Sequence, residues 1–190
     1  MKTKYLHKTA VLIIIFLLLS FYSEAFEPAI GRKVLDVQLP VPENSQYQSY
    51  LGVKNFQGNF RVSEIDATVV LVEIFSMYCP HCQKAAPELN ALFKQIEQND
   101  KYRGKIKLIG IGVGNSDFEV EYFKKTYNIE FPLFSDPDFT IHKMLGEVRT
   151  PYFIGVKQSQ DGKPEIFMSE AGREKTPEEL FDLITTITDL

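Results

Sequence analysis

The sequence predicts an α/β domain, a central mixed sheet flanked by helices on both faces. Three observations lead there. Thr68–Phe75 and Ile106–Val113 are apolar, largely β-branched runs, the pattern of strands covered on both sides. Each is followed by a stretch with helical spacing, Gln83–Gln98 and Phe118–Tyr127, so strands and helices alternate and parallel crossovers follow. Two further strands, Tyr152–Val156 and Glu165–Met168, flank a turn at Gln160–Lys163 and give the sheet an antiparallel edge.

The chain opens on an export signal. Lys2, Lys4 and Lys8 precede the apolar run Ala10–Tyr22, and Ser23-Glu24-Ala25 offers small residues for cleavage. As a helix that run would be roughly 20 Å long, short of the roughly 30 Å hydrocarbon core. Residues 1–25 therefore read as a signal peptide, with an uncleaved membrane anchor as the alternative. Residues 26–190 read as one exported, periplasmic or extracytoplasmic domain.

Cleavage leaves 165 residues with 18 basic and 24 acidic side chains, a formal net charge of −6. That length has room for one proper core. A mildly acidic domain without a basic stripe argues against nucleic acid and anionic lipid as partners. No later segment is apolar for long enough to span a bilayer.

In order along the domain, Val34–Leu39 alternates like an edge strand that Pro40 and Pro42 close. Pro42–Tyr50 reads as a polar loop. Phe60–Val62 reads as a short strand, and Ser63–Asp66 as a capped turn. Ser116 or Asp117 caps the helix that carries Phe118, Tyr122, Phe123 and Tyr127. Phe131–Ser135 is a short strand and Asp138–Leu145 a short helix. Thr176 caps the last helix, with Pro177 at its first position.

Both cysteines of the chain lie in Phe75–Pro87, FSMYCPHCQKAAP. A disulfide staple across so short a loop restrains the unfolded chain by only roughly 2 kcal/mol, against roughly 4.7 for a long loop. A closed zinc site needs four ligands, and beyond the cysteines the domain offers only His81 and His142. A redox couple fits the setting better. The pair stands where a buried strand ends and a helix begins, with Pro80 at the first helical position. Cys79 there faces unpaired backbone N–H groups and the positive end of the helix dipole, which favour thiolate. His81 can add a charge or a hydrogen bond to the same sulfur. Cys82, one turn in, is expected to be buried and to act as the resolving thiol. Glu73 interrupts a strand whose faces should both be dry. Burial would raise its pKa and let it exchange a proton with Cys82. The alternative is a strand-end glutamate that reaches water.

With these residues the segment resembles the active site of the thioredoxin-fold proteins. The family sets a CxxC at the start of a helix kinked by a proline five residues after the second cysteine, where Pro87 stands. An acid six residues before the first cysteine matches Glu73. VRTPYFIGV resembles the strand that opens with a cis-proline, here Pro151 after Thr150. The resemblance implies that Thr150 pairs through its backbone with an extended substrate segment beside Cys79. FPLFSDPDFTIHKMLGEVRTPYFIGV resembles the redoxin and TlpA/ResA-type branch, which inserts an extra strand-helix unit before the cis-proline. Asn115–Leu145 supplies that unit. Tyr78 takes the place where that branch often has Trp, and it is assigned to substrate binding. The Pro80-His81 dipeptide is that of the periplasmic dithiol oxidase DsbA, whose couple is oxidising.

The resemblance implies a thiol–disulfide oxidoreductase that acts on cysteine-containing exported proteins, with a redox-recycling partner and no bound cofactor or metal. Reduction is favoured slightly over oxidation. A single domain with one CxxC favours a monomer. Two other functions compete. A peroxiredoxin would read Pro-x-x-x-Thr/Ser-x-x-Cys, but Val72 replaces the proline, although Ser76 fits. A non-catalytic binding domain would not need both cysteines. Gly110-Ile-Gly112-Val-Gly114 is not a phosphate loop, and its glycines are expected to let the strand pass under the CxxC helix. His142, Asp136 and Asp138 read as structural.

Overall fold

Seven consecutive residues of one strand, VVLVEIF, are buried, and the rest of the domain is arranged to cover them. The computed structural model describes residues 37–190 except 54–56, 159–163, 173–175 and 189. The elements in chain order are β1 (Gln38–Pro40), α1 (Ser45–Leu51), β2 (Asn59–Arg61), β3 (Val69–Phe75), α2 (Pro80–Glu97), β4 (Ile106–Val113), α3 (Asp117–Thr126), β5 (Leu133–Asp136), α4 (Thr140–Met144), β6 (Tyr152–Lys157), β7 (Glu165–Ala171) and α5 (Pro177–Thr188). The main sheet has the order β5-β4-β3-β6-β7. β3, β4 and β5 run parallel, and β6 and β7 add the antiparallel edge. This is the mixed sheet that the alternation of elements predicts. β1 and β2 form a separate antiparallel ribbon.

Strand periodicity sorts β3 between two cores. Val70, Val72 and Ile74 pack with Ile109, Ile111 and Ile154, under a cover that includes Leu39, Leu51 and Phe60. Val69, Leu71 and Phe75 face α2, α3 and α5 and pack with Leu89, Ile96, Phe123 and Leu180. Each fully buried side chain of this kind contributes about 1.5–3 kcal/mol. Glu73 shares the parity of Leu71 and Phe75, so it points beneath α2.

Three expectations about local structure change. The supposed polar loop contains α1, which caps make rather than apolar spacing. Asn44 accepts the Gln46 N–H at 2.8 Å, and Gly52, at φ 66°, closes the helix by donating to the Gln48 carbonyl. Next, Gly110 and Gly112 do not make room for α2. A Cβ on Gly112 would lie 2.9 Å from Val120 and 3.0 Å from the Phe75 ring, and one on Gly110 would meet Leu133 at 2.5 Å. The two glycines admit Phe75, which stacks on Phe123 with ring centroids 4.8 Å apart, and the flanking β5 and α3. Finally, the edge strand begins at Leu133 instead of Phe131. Residues 1–25, Val34–Asp36 of the Val34–Leu39 run and the Gln160–Lys163 turn lie outside the described residues.

Tyr50 shows what α1 adds. β5 pairs with β4 only over Gly110–Val113, so the outer backbone of Leu108 lies beyond the end of that ladder. The Tyr50 hydroxyl takes the strand's place and accepts the Leu108 N–H at 2.7 Å. Tyr50→Phe should therefore cost about 1–3 kcal/mol, the penalty for an orphaned donor. Urea unfolding would show a lower midpoint at unchanged slope, and an unchanged midpoint would contradict this role for α1.

Candidate active site

The carboxyl end of β3 leads through Ser76, Met77 and Tyr78 to Cys79, which caps α2 with φ −83° and ψ 114°. Pro80 takes the first helical position, where its missing N–H costs nothing. The Cys79 N–H donates to the Ser76 carbonyl at 3.0 Å, and the Cys79 carbonyl accepts from Gln83 N–H at 3.1 Å. Pro87 lies inside α2, as expected. Both thiols are free; Cys79 is half-buried and Cys82 fully buried. The Thr150–Pro151 peptide is cis and stands against the couple. The Cys79 thiol donates to the Thr150 carbonyl at 3.3 Å, and Pro151 is buried.

Two opposed shifts split the thiols. Burial works to raise the pKa of Cys79. Hydrogen bonds to its sulfur from the Thr150 side chain, the Cys82 backbone and thiol, and the His81 backbone outweigh burial and hold it below an ordinary thiol. Cys82 moves the other way. Burial raises its pKa well above the ordinary range, and the negative charges of Glu73 and Cys79 add to this, while the Ser76 backbone opposes it.

Glu73 is 3% exposed, and neither carboxylate oxygen has a hydrogen-bond partner. Burial first, and the charge on Cys79 second, push its pKa up to about 8. The alternative of a glutamate that reaches water is thereby excluded. His81 is exposed, and its contribution to the Cys79 sulfur comes from the backbone. Tyr78 is 64% exposed, and its hydroxyl donates to Glu119.

Sequence reasoning missed two residues that hold this loop. Asn115, fully buried at the end of β4, accepts the Met77 N–H at 2.9 Å. Gln83 donates to the Met77 carbonyl at 2.7 Å. An asparagine just past the end of a buried strand was the available signal for the first; Gln83 carried none. Two of the residues read as structural, Asp136 and His142, are placed so. Asp136 accepts the N–H groups of Ile141 and His142 at the start of α4, and the His142 ring donates to the Val148 carbonyl at 2.9 Å. Among the described residues no group of three or more His, Cys, Asp or Glu could hold a metal ion. Nor is any described helix long and apolar enough to cross a membrane.

The chain is similar to known proteins over most of this architecture. It is 28% identical over 120 residues to the thiol-disulfide oxidoreductase ResA of Bacillus thuringiensis, a match that covers 63% of each chain. The match thus spans less than two thirds of the length of the curated relatives. Among solved structures, it resembles the thioredoxin domain of a Bacteroides vulgatus thiol-disulfide oxidoreductase with TM-score 0.58 and 14% identity, covering 84% of this chain and 98% of that one. It also resembles a secreted Mycobacterium tuberculosis disulfide oxidoreductase homologous to Escherichia coli DsbE, with TM-score 0.53 and 16% identity over 68% and 90%. These structural likenesses show a shared thioredoxin-like fold. The family model described as AhpC/TSA matches residues 30–168, most of the sheet and the whole of the CxxC loop, and the chain belongs to that family.

Proposed function

We propose that the protein is an exported thiol–disulfide oxidoreductase that delivers electrons to disulfides of envelope or secreted proteins. One observation carries the reading: two thiols three residues apart have opposite pKa shifts, the lowered one half-exposed beside Thr150 and the raised one buried beneath it. The similarity to ResA supports it.

The chemistry follows from that asymmetry. The Cys79 thiolate attacks one sulfur of a substrate disulfide; that S–S bond breaks, and the leaving thiolate takes a proton from solvent. Cys82 then loses its proton to ionised Glu73, whose pKa near 8 suits a general base at neutral pH. The Cys82 thiolate attacks the Cys79 sulfur, the mixed disulfide breaks, and the second substrate sulfur departs as a thiolate that takes a proton from solvent, while Glu73 returns the Cys82 proton to solvent. Two electrons and two protons reach the substrate, and Cys79–Cys82 becomes a disulfide for a recycling partner to reduce. The Thr150 backbone and exposed Tyr78 border the path of the substrate segment.

Two features pull the direction apart. A stabilised Cys79 thiolate, with Pro80-His81, favours an oxidising couple. A high-pKa Cys82 next to a carboxylate is a poor leaving group, which resists attack on the disulfide and favours the reducing role. We give the second more weight, because Cys82 must leave whenever the protein oxidises a substrate through Cys79.

Equilibration in glutathione redox buffers tests this. The couple should titrate reversibly with a potential at or below that of thioredoxin, roughly −270 mV. A value near that of DsbA, roughly −120 mV, would make the protein an oxidant, and no exchange at all would remove the redox function.

Stability gives a second check. Glu73 is raised from the ordinary carboxylate range to about 8, so the folded state holds its proton longer than the unfolded chain. The stability that it contributes is fully present below about pH 4.5 and is lost as pH rises through about 8, at roughly 1.4 kcal/mol per pH unit between them. Glu73→Gln should abolish this slope in urea unfolding of the reduced protein. Equal slopes for the variant and wild type would mean that Glu73 is not buried as described.

A further inference from the structure

The inserted unit reaches back to the redox loop through one buried side chain. Asn115 is 0% exposed and stands between the end of β4 and the start of α3. Its Oδ1 accepts the Met77 N–H at 2.9 Å, while its Nδ2 is buried without a hydrogen-bond partner. Burying half an amide unsatisfied is unfavourable, and an apolar side chain of similar size would avoid it. The other half of the amide therefore indicates what the residue does there. Met77 is the middle residue of the three that join β3 to Cys79, and both of its backbone polar groups are held. Gln83, in the first turn of α2, takes its carbonyl, and Asn115 takes its N–H.

We propose that Asn115 is a positioning residue for the nucleophile: it fixes the Ser76–Tyr78 turn and thereby the alignment of the Cys79 sulfur with the donors at the start of α2. The chain of contacts is short. The turn closes through Cys79 N–H to the Ser76 carbonyl at 3.0 Å, so a shift of Met77 moves the Cys79 backbone. The donors that stabilise the thiolate belong to Cys82 and His81 on α2 and to Thr150 just before β6, all outside the turn. A displaced turn carries the sulfur out of register with them. Glu119, one turn into α3, makes a second tie by accepting from Tyr78, and it also accepts the Ser116 N–H at 2.7 Å. The inserted unit thus holds the loop that precedes Cys79 at two consecutive residues.

This inference rests on Cys79 being the nucleophile, and the experiment separates the two. The reduced protein is alkylated with iodoacetamide across a pH series, and the site of modification is read by mass spectrometry. Preferential modification of Cys79 with a midpoint below that of an ordinary thiol, about 8.5, establishes the nucleophile in wild type. Asn115→Leu, close to isosteric, should then raise that midpoint by about one pH unit, a tenfold slower reaction at any pH below both midpoints. Val113→Ala removes packing from the opposite face of the same strand end and serves as the control; it should lower the melting temperature and leave the midpoint in place. If Asn115→Leu fails to fold, Asn115→Ala is used in its stead. An unchanged Cys79 midpoint in a folded Asn115 variant overturns the proposal. So does an equal shift in Val113→Ala, since loss of stability alone would then move the thiol.

Discussion

Glu73 lies in the middle of β3 at 3% exposure, with no hydrogen bond to either oxygen. An ionised carboxylate in such a place is far costlier than a neutral one, so the site keeps a proton that an exposed glutamate would lose by about pH 4.3. That single constraint spreads outward. An ionised Glu73 disfavours the Cys82 thiolate, which burial already disfavours, and a charged Cys79 in turn disfavours ionisation of Glu73. The Cys79 sulfur, where backbone and side-chain donors converge, holds a negative charge more readily than an ordinary thiol, and the Cys82 sulfur holds one less readily.

The fold exists to hold that arrangement. The register of β3 against β4 sets Glu73 beside Gly110 and Phe75 beside Gly112, and the missing Cβ atoms leave space for the Phe75 ring. β6, antiparallel on the other side of β3, begins one residue after the cis Thr150–Pro151 peptide and so brings Thr150 to Cys79. α2 supplies the helix start, and the inserted unit supplies Asn115 and Glu119. The couple stands at element termini, with β3 ending at Phe75, α2 starting at Pro80 and β6 starting just after the cis peptide, where backbone groups are free to act as donors and acceptors.

Much of this was legible in the sequence, for identifiable reasons. CPHC at a strand–helix junction, Pro87 and Thr150-Pro151 are local patterns with local causes; the structure sets Pro87 inside α2 and brings Thr150 to Cys79. Glu73 stood out because it breaks an apolar strand. What escaped depends on contacts between distant residues or on weak local signals. Met77 and Asn115 are 38 residues apart and meet only through the β3–β4 register. α1 has little apolar spacing, because of its seven residues only Leu51 is buried, and its caps at Asn44 and Gly52 were the available sign. The glycines of β4 were correctly read as packing residues but assigned to the wrong neighbour, since sequence does not reveal that a phenylalanine ring one strand away occupies the space.

The account is tested most directly by titrating each group of the reduced protein by NMR, with ¹³C labels in the cysteines and glutamates. It predicts three separate events: Cys79 below the ordinary thiol range of about 8.5, Cys82 far above it, and the Glu73 carboxyl near 8. Two thiols that titrate together near 8.5, with Glu73 ionising near 4.3 like an exposed glutamate, would contradict it.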